Sequence, residues 1–295
     1  MPIITQTKVN SMSNILLFEF SLEGKFLSVY CGMLQKEYFA WAFFDGKSAF
    51  RTFERKQCRI YKEEFYALDN VFTPERLKFF LLGDIEIECD LKITPLIWGR
   101  GHIGLFNILP RNSRAEIIAQ LCKYEGKVSI NGKSINVKSV GYIHKLNAKK
   151  IPQNFYALNL LGDNVCLASY MSDNWIYIYN FNSFITEGII KGRQYKFADY
   201  NFTTPSIIDT GNNLIIKLNK GRYELNICAE CGTEKLINKY NLALRANNYT
   251  TADIVLRFDG KIIFKEKAAA SLLIRGKIKI GKKAEEIQGL CEAAT

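Results

Sequence analysis

From Asp84 to Leu91 the chain reads D-I-E-I-E-C-D-L, which sets Ile85, Ile87, Cys89 and Leu91 on one side and acids on the other. Successive side chains of a strand point to opposite faces, so this period of two predicts a half-buried strand. The same alternation predicts strands over residues 14–22, 25–31, 37–44, 213–218, 222–229 and 252–258. Aromatic and β-branched runs add strands at 155–161, 165–171, 175–181 and 194–201.

Turn chemistry falls between these runs. Asp45-Gly46, Asn131-Gly132 and Asp259-Gly260 each join two alternating segments. Such pairs supply the positive φ values of a type I′ hairpin, since Gly has no Cβ and Asn or Asp tolerates the left-handed region. Helical spacing is confined to 234–246, with Leu236, Tyr240 and Leu244, and to a tail at 282–294. The stretch 113–124, with Ile117, Ile118 and Leu121, fits a helix or a strand. Many short antiparallel strands with few short helices predict an all-β fold, and this many strands are best divided between two barrels. The polar stretch Ala148-Lys149-Lys150-Ile151-Pro152 marks the expected boundary, giving domains at 1–150 and 151–295, the second carrying the tail helix.

Composition narrows the class. With 295 residues, 48% of them hydrophobic and 23% charged, the chain has enough apolar material for two ordinary cores. No run reaches the ~20 apolar residues of a membrane helix, and the N-terminus lacks the layout of a secretory signal. Eight scattered cysteines suggest reduced thiols and a cytoplasmic protein. The net charge of +11 is spread along the chain rather than gathered in a patch. That speaks against a nucleic-acid partner and is compatible with peripheral contact with an anionic membrane.

Catalytic templates are missing. The chain contains no Walker loop, no G-x-S-x-G and no H-E-x-x-H. Only His102 and His144 are available as imidazole ligands, so no metal is expected. Cys228 and Cys231 have C-x-x-C spacing, but residues three apart on a strand face opposite ways. The remaining chemistry rests on His144, which titrates near neutrality, and on Glu116 and Asp199, acids beside apolar strand residues. Trp41, Tyr142, Tyr156, Tyr170, Trp175 and Tyr200 are candidates for an apolar wall.

The stretch Gly141-Tyr142-Ile143-His144-Lys145-Leu146-Asn147, followed by Ile151-Pro152-Gln153-Asn154-Phe155-Tyr156, resembles the tocopherol cyclase-like family and its pattern close to G-Y-I-E-K-D-W-G. Trp98, Gly104–Pro110, Tyr195–Tyr200 and Arg222–Leu225 are similar to further segments of that family, and Leu17-Phe18-Glu19-Phe20 to its F-E-G-W-Y-F motif. His144, Leu146, Asn147 and Ala148 stand where the family has Glu, Asp, Trp and Gly, and Ala157 and Asn159 where it has Trp and Gln. The resemblance implies two lipocalin-like barrels in tandem, shared with carotenoid hydratases and fungal pericyclases. It also implies cofactor-independent cyclisation or isomerisation of a prenylated or polyene molecule by proton transfer in a dry cavity. On this footing His144, Tyr142 and Glu116 are the expected catalytic groups. Trp98, Tyr156, Asn159, Tyr170, Trp175, Asp199 and Tyr200 are the expected substrate contacts. A non-catalytic carrier of a hydrophobic small molecule is the alternative, from a different functional class.

Overall fold

The structure, a computed structural model, describes residues 13–34, 36–99, 113–148, 152–176, 179–232, 234–237, 242–281 and 287. Among the described residues twenty-two strands follow one another. They are β1 Ser13–Leu22, β2 Lys25–Leu34, β3 Glu37–Phe44, β4 Lys47–Phe53, β5 Cys58–Tyr61, β6 Glu64–Ala67, β7 Asn70–Phe72 and β8 Arg76–Leu81. The first sheet then takes β9 Ile87–Trp98, β10 Ser113–Ile130 and β11 Lys133–Ala148. The second sheet begins with β12 Phe155–Leu161, β13 Val165–Ile176, β14 Tyr179–Ile190, β15 Arg193–Ala198, β16 Thr204–Asp209 and β17 Asn213–Lys220. It ends with β18 Tyr223–Glu230, β19 Glu234–Ile237, β20 Leu242–Phe258, β21 Lys261–Arg275 and β22 Lys279–Ile280. Among the described residues there is no α-helix, and 3-10 geometry occurs at Arg55–Gln57 and at Ile287.

The first sheet runs β4-β3-β2-β1-β11-β10-β9-β8-β7-β6-β5, so the first and last strands of this half are neighbours. Its barrel closes where Phe50 N–H donates to the Leu82 carbonyl at 3.0 Å and Asp84 N–H to the Ser48 carbonyl at 2.8 Å. Leu16, Phe18 and Phe20 of β1 point inward with Leu27 and Val29 of β2 and Leu91 and Ile93 of β9. Stacked rings occupy this interior, with Phe20 on Tyr124 at 4.6 Å and Phe72 between Phe65 and Phe79 at 5.6 and 5.8 Å. The second sheet runs β15-β14-β13-β12-β21-β20-β18-β17-β16-β22, with β19 beside β20. It curls around Tyr156, Leu158, Leu160, Phe184, Phe197, Leu256 and Leu272. These are two lipocalin-like barrels in tandem.

The predicted hairpins take the expected form. Asp45-Gly46, Asn131-Gly132 and Asp259-Gly260 all have positive φ at both positions, 51° and 74°, 48° and 78°, 50° and 76°. The open stretch 113–124 is strand, and it bulges between Ile117 and Cys122. The helix expected at 234–246 is corrected. Glu234–Ile237 and the start of β20 pair antiparallel from Glu234↔Arg245 to Ile237↔Leu242, so hairpin pairing prevails over helical spacing. The tail expected to be helical at 282–294 lies outside the described residues except for Ile287, which is buried with Ile208 and Ile215. Among the described residues six thiols are free, but Cys228 is disulfide-bonded, which corrects the reading of all eight as reduced. No helix among the described residues is long and apolar enough to cross a membrane.

Candidate functional site

A strand with its even residues in a barrel core turns its odd residues outward. In β1 those outward residues are Leu17 and Glu19, and both are buried. What buries them is the second barrel. Asn159 on β12 donates through Nδ2 to Glu19 Oε2, and Ser271 on β21 donates to Oε1 at 2.7 Å. Ser28, beside Glu19 on β2, donates to the same oxygen at 2.6 Å. Glu19 is 1% exposed and thus lies in a seam between the outer faces of the two barrels. Burial raises its pKa above the usual carboxylate value, opposed by hydrogen bonds from Ser28, Ser271 and Asn159. When the carboxyl carries a proton, either serine hydroxyl can turn from donor to acceptor.

Register then fixes what stands next to this acid. Glu19 is opposite Tyr142, and Leu17 is opposite His144. Tyr142 and His144 are two apart on β11 and share the outward face, with their rings 5.7 Å apart. The Tyr142 hydroxyl reaches into the second barrel, where it donates to the Leu160 carbonyl and accepts from Leu167 N–H at 3.1 Å. Leu160 and Leu167 are register partners of β12 and β13, so the hydroxyl is set into that ladder. Around it Phe26, Ile117, Leu161, Cys166 and Ala168 form an apolar cluster shared by both barrels. His144 Nε2 is shut off from solvent with no hydrogen-bond partner among the described residues. Burial lowers the pKa of His144 to about 4, so its imidazole is neutral at neutral pH.

A second polar chain crosses the same seam. Gln194 on β15 donates to Gln120 on β10 at 3.1 Å and to Glu187 on β14 at 3.3 Å. Lys196 pairs with Glu187 at 3.0 Å and lies over the Tyr200 ring at 5.6 Å. Asp199 accepts from Ser183 at 2.9 Å.

The structure therefore brings some expected residues together and separates others. His144, Tyr142 and Asn159 lie in the seam. Tyr170 is on the outer face of β13, since Leu167 and Met171 face the core. Glu116 is opposite Lys145 in register and adjacent to Ile117, so it faces away from His144. Tyr156 is inside the second barrel, with its hydroxyl 3.0 Å from Ser169 Oγ. Trp98 is half exposed at the end of β9. The Trp175 side chain, His102 and Gly104–Pro110 lie outside the described residues. Sequence reasoning passed over Glu19, although Leu16-Leu17-Phe18-Glu19-Phe20 carries a signal. A carboxylate in a strand apolar on both faces must meet polar partners inside the protein. Among the described residues no cluster of His, Cys, Asp and Glu is suited to a metal ion.

No protein-family model and no curated protein matches the sequence. Solved structures match it in fold. A protein of Nitrosomonas europaea described as an AttH superposes with a TM-score of 0.56 at 10% identity, covering 90% of this chain and 93% of its own. Kievitone hydratase from Nectria haematococca gives a TM-score of 0.51 at 8% identity, covering 90% of this chain and 89% of its own. At such identities the likeness is one of architecture. Each superposition covers nine-tenths of this chain and so takes in both barrels.

Proposed function

We propose that this chain is a cofactor-independent proton-transfer enzyme of the cyclase or isomerase kind, acting on a prenylated or polyene molecule at the seam between its barrels. Glu19 is the acid and His144 the acceptor. The observation that carries the reading is the placement of both groups, diagonal in register, on one buried apolar seam. Burial favours the protonated carboxyl of Glu19 and the neutral imidazole of His144. Being diagonal neighbours on β1 and β11, they stand about 7–8 Å apart at the backbone, close enough for one substrate to reach both. The reading exchanges the role expected of His144, because an imidazole at about 4 holds no proton to give at neutral pH.

In this scheme the Glu19 carboxyl protonates a substrate double bond. The resulting cation is quenched when an internal hydroxyl adds and passes its proton to His144, or when a neighbouring carbon loses its proton to His144. His144 then releases that proton to solvent and Glu19 takes one up, restoring both groups. Leu17, Phe26 and Ile117 exclude water from the cation, and Ser28, Asn159 and Ser271 hold the carboxylate left behind. A hydratase among the proteins of like fold is in keeping with proton-driven chemistry on a small molecule.

One observation favours the carrier reading. Three donors from the protein already satisfy Glu19, and the Tyr142 hydroxyl is engaged on the Leu160 and Leu167 backbone. Incubation with a prenylated hydroquinone and with a linear polyene, followed by mass spectrometry, separates the two. Turnover that drops about a hundredfold or more in Glu19→Gln supports the acid role. Turnover unchanged in that variant removes it, and tight binding without product assigns a carrier.

A further inference from the structure

The outward residues of β2, β3 and β4 continue away from Glu19 as a track of rings. Tyr30 is diagonal to Glu19 across the β1–β2 pair and feels its charge. Its ring is 6.0 Å from that of Trp41, which is 3.9 Å from Phe43 and 6.4 Å from Phe50. Phe50 N–H closes the barrel on Leu82, and Leu82 shares its outward face with Phe80. Exposure rises along this path. Trp41 and Phe43 are half-buried, whereas Phe50 is 36%, Phe80 41% and Leu82 55% exposed. At its inner end the track joins the seam, where β2 packs against β20 and β21 of the second barrel.

We propose that the outer end of this track, Phe50, Phe80 and Leu82, docks on an anionic lipid surface and that hydrophobic molecules pass from it along the rings to the seam. The cargo rests on the functional reading above; the docking does not. An exposed apolar patch at the end of a continuous aromatic path is costly in water and gains by inserting between acyl chains. Charge favours the same partner. The chain carries a net +11, and Lys47 and Lys78 are exposed beside the patch. The exposed acids close by, Asp84 with its carboxylate bound by Ser48 and Glu88 opposite Phe80, offset these lysines, so the attraction is that of the net charge of the whole chain. The long-range field draws the protein to an anionic bilayer and the rings hold it there.

Flotation of the full chain with phosphatidylcholine vesicles, with and without phosphatidylglycerol, tests the surface directly. The protein is expected to float with the anionic vesicles and to lose roughly tenfold or more of that partition when Phe50→Asp and Leu82→Asp are combined. An Ile262→Asp, Ile263→Asp variant, at exposed apolar positions on β21, is expected to float like the parent. Circular dichroism of both variants reports whether the barrels persist. Equal loss in the two folded variants overturns the proposal, as does the parent remaining with the unbound fraction. If the parent instead self-associates through this face, light scattering finds a dimer that the Phe50/Leu82 variant lacks, and the lipid surface is again excluded. Turnover without flotation removes the docking and leaves the enzyme reading standing.

Discussion

Tyr142 is held at its backbone carbonyl and at its hydroxyl. Tyr124 donates to its carbonyl at 2.7 Å from within the first barrel, and its own hydroxyl is spliced between Leu160 and Leu167 of the second. Tyr142→Phe leaves the ring in place and removes only the hydroxyl, so it is expected to cost about 1–3 kcal/mol of stability, read by denaturant titration. Glu19 depends on the same docking. Replacing Asn159 by Leu removes a donor that stabilises the carboxylate, which raises the Glu19 pKa further. Because the proposed acid works protonated, the rate should fall as pH rises through that pKa, and Asn159→Leu should move the falling limb to higher pH. A limb that stays put would show that another group sets it. Tyr142 was legible in the sequence as a match to a family pattern, and Asn159 as the residue that stands where that pattern has Gln. Their partnership with Glu19 was not, because Glu19 and Asn159 are separated by 140 residues and meet only through barrel docking.

Strands and turns were the most readable features. Alternation located β1, β2, β3, β17 and β18 to within a few residues, because one face of each is in a core and period-two burial leaves a direct trace. Turns at Glu23-Gly24 and Lys191-Gly192 take the same left-handed pair as the Asx-Gly hairpins and escaped notice for lack of an Asx residue. The helix expected at 234–246 failed because Leu236, Tyr240 and Leu244 satisfy a period of four and a period of two alike. Gly141, first residue of the G-Y-I-H stretch, has a packing reason. A Cβ there would overlap the Glu19 carbonyl oxygen and press on Phe20 Cα, so β11 approaches β1 closely beside the acid. Gly141→Ala should force the strands apart, cost about 1–3 kcal/mol as an overpacking change, and weaken the Asn159 contact with it. Thermal unfolding together with turnover would show both losses.

At the scale of the molecule, two sheets, one joining β1 to β11 and the other β12 to β21, are laid outer face to outer face. Composition and strand number pointed to two units, but nothing in the alternation says which faces meet. An outward residue reads as polar whether it meets water or a partner's serine. The seam also sets the acid sensitivity. His144 falls from 6.5 to about 4 on folding, so between those values the unfolded chain binds more protons than the folded one. Stability is therefore complete above pH 6.5 and is lost progressively as pH falls toward 4. His144→Phe should flatten the melting temperature across that interval. An unchanged slope would place the sensitivity elsewhere.

The Glu19–Asn159 bond has one more consequence. Separating the two barrels would return Glu19 to water and its pKa to an ordinary value, since Asn159 and Ser271 belong to the second barrel. Their association is then a proton-uptake reaction, favoured by acid wherever Glu19 is the group that responds. Where Glu19 responds, the buffer would register the closing of this molecule as a small loss of hydrogen ions, and where His144 responds, as a gain.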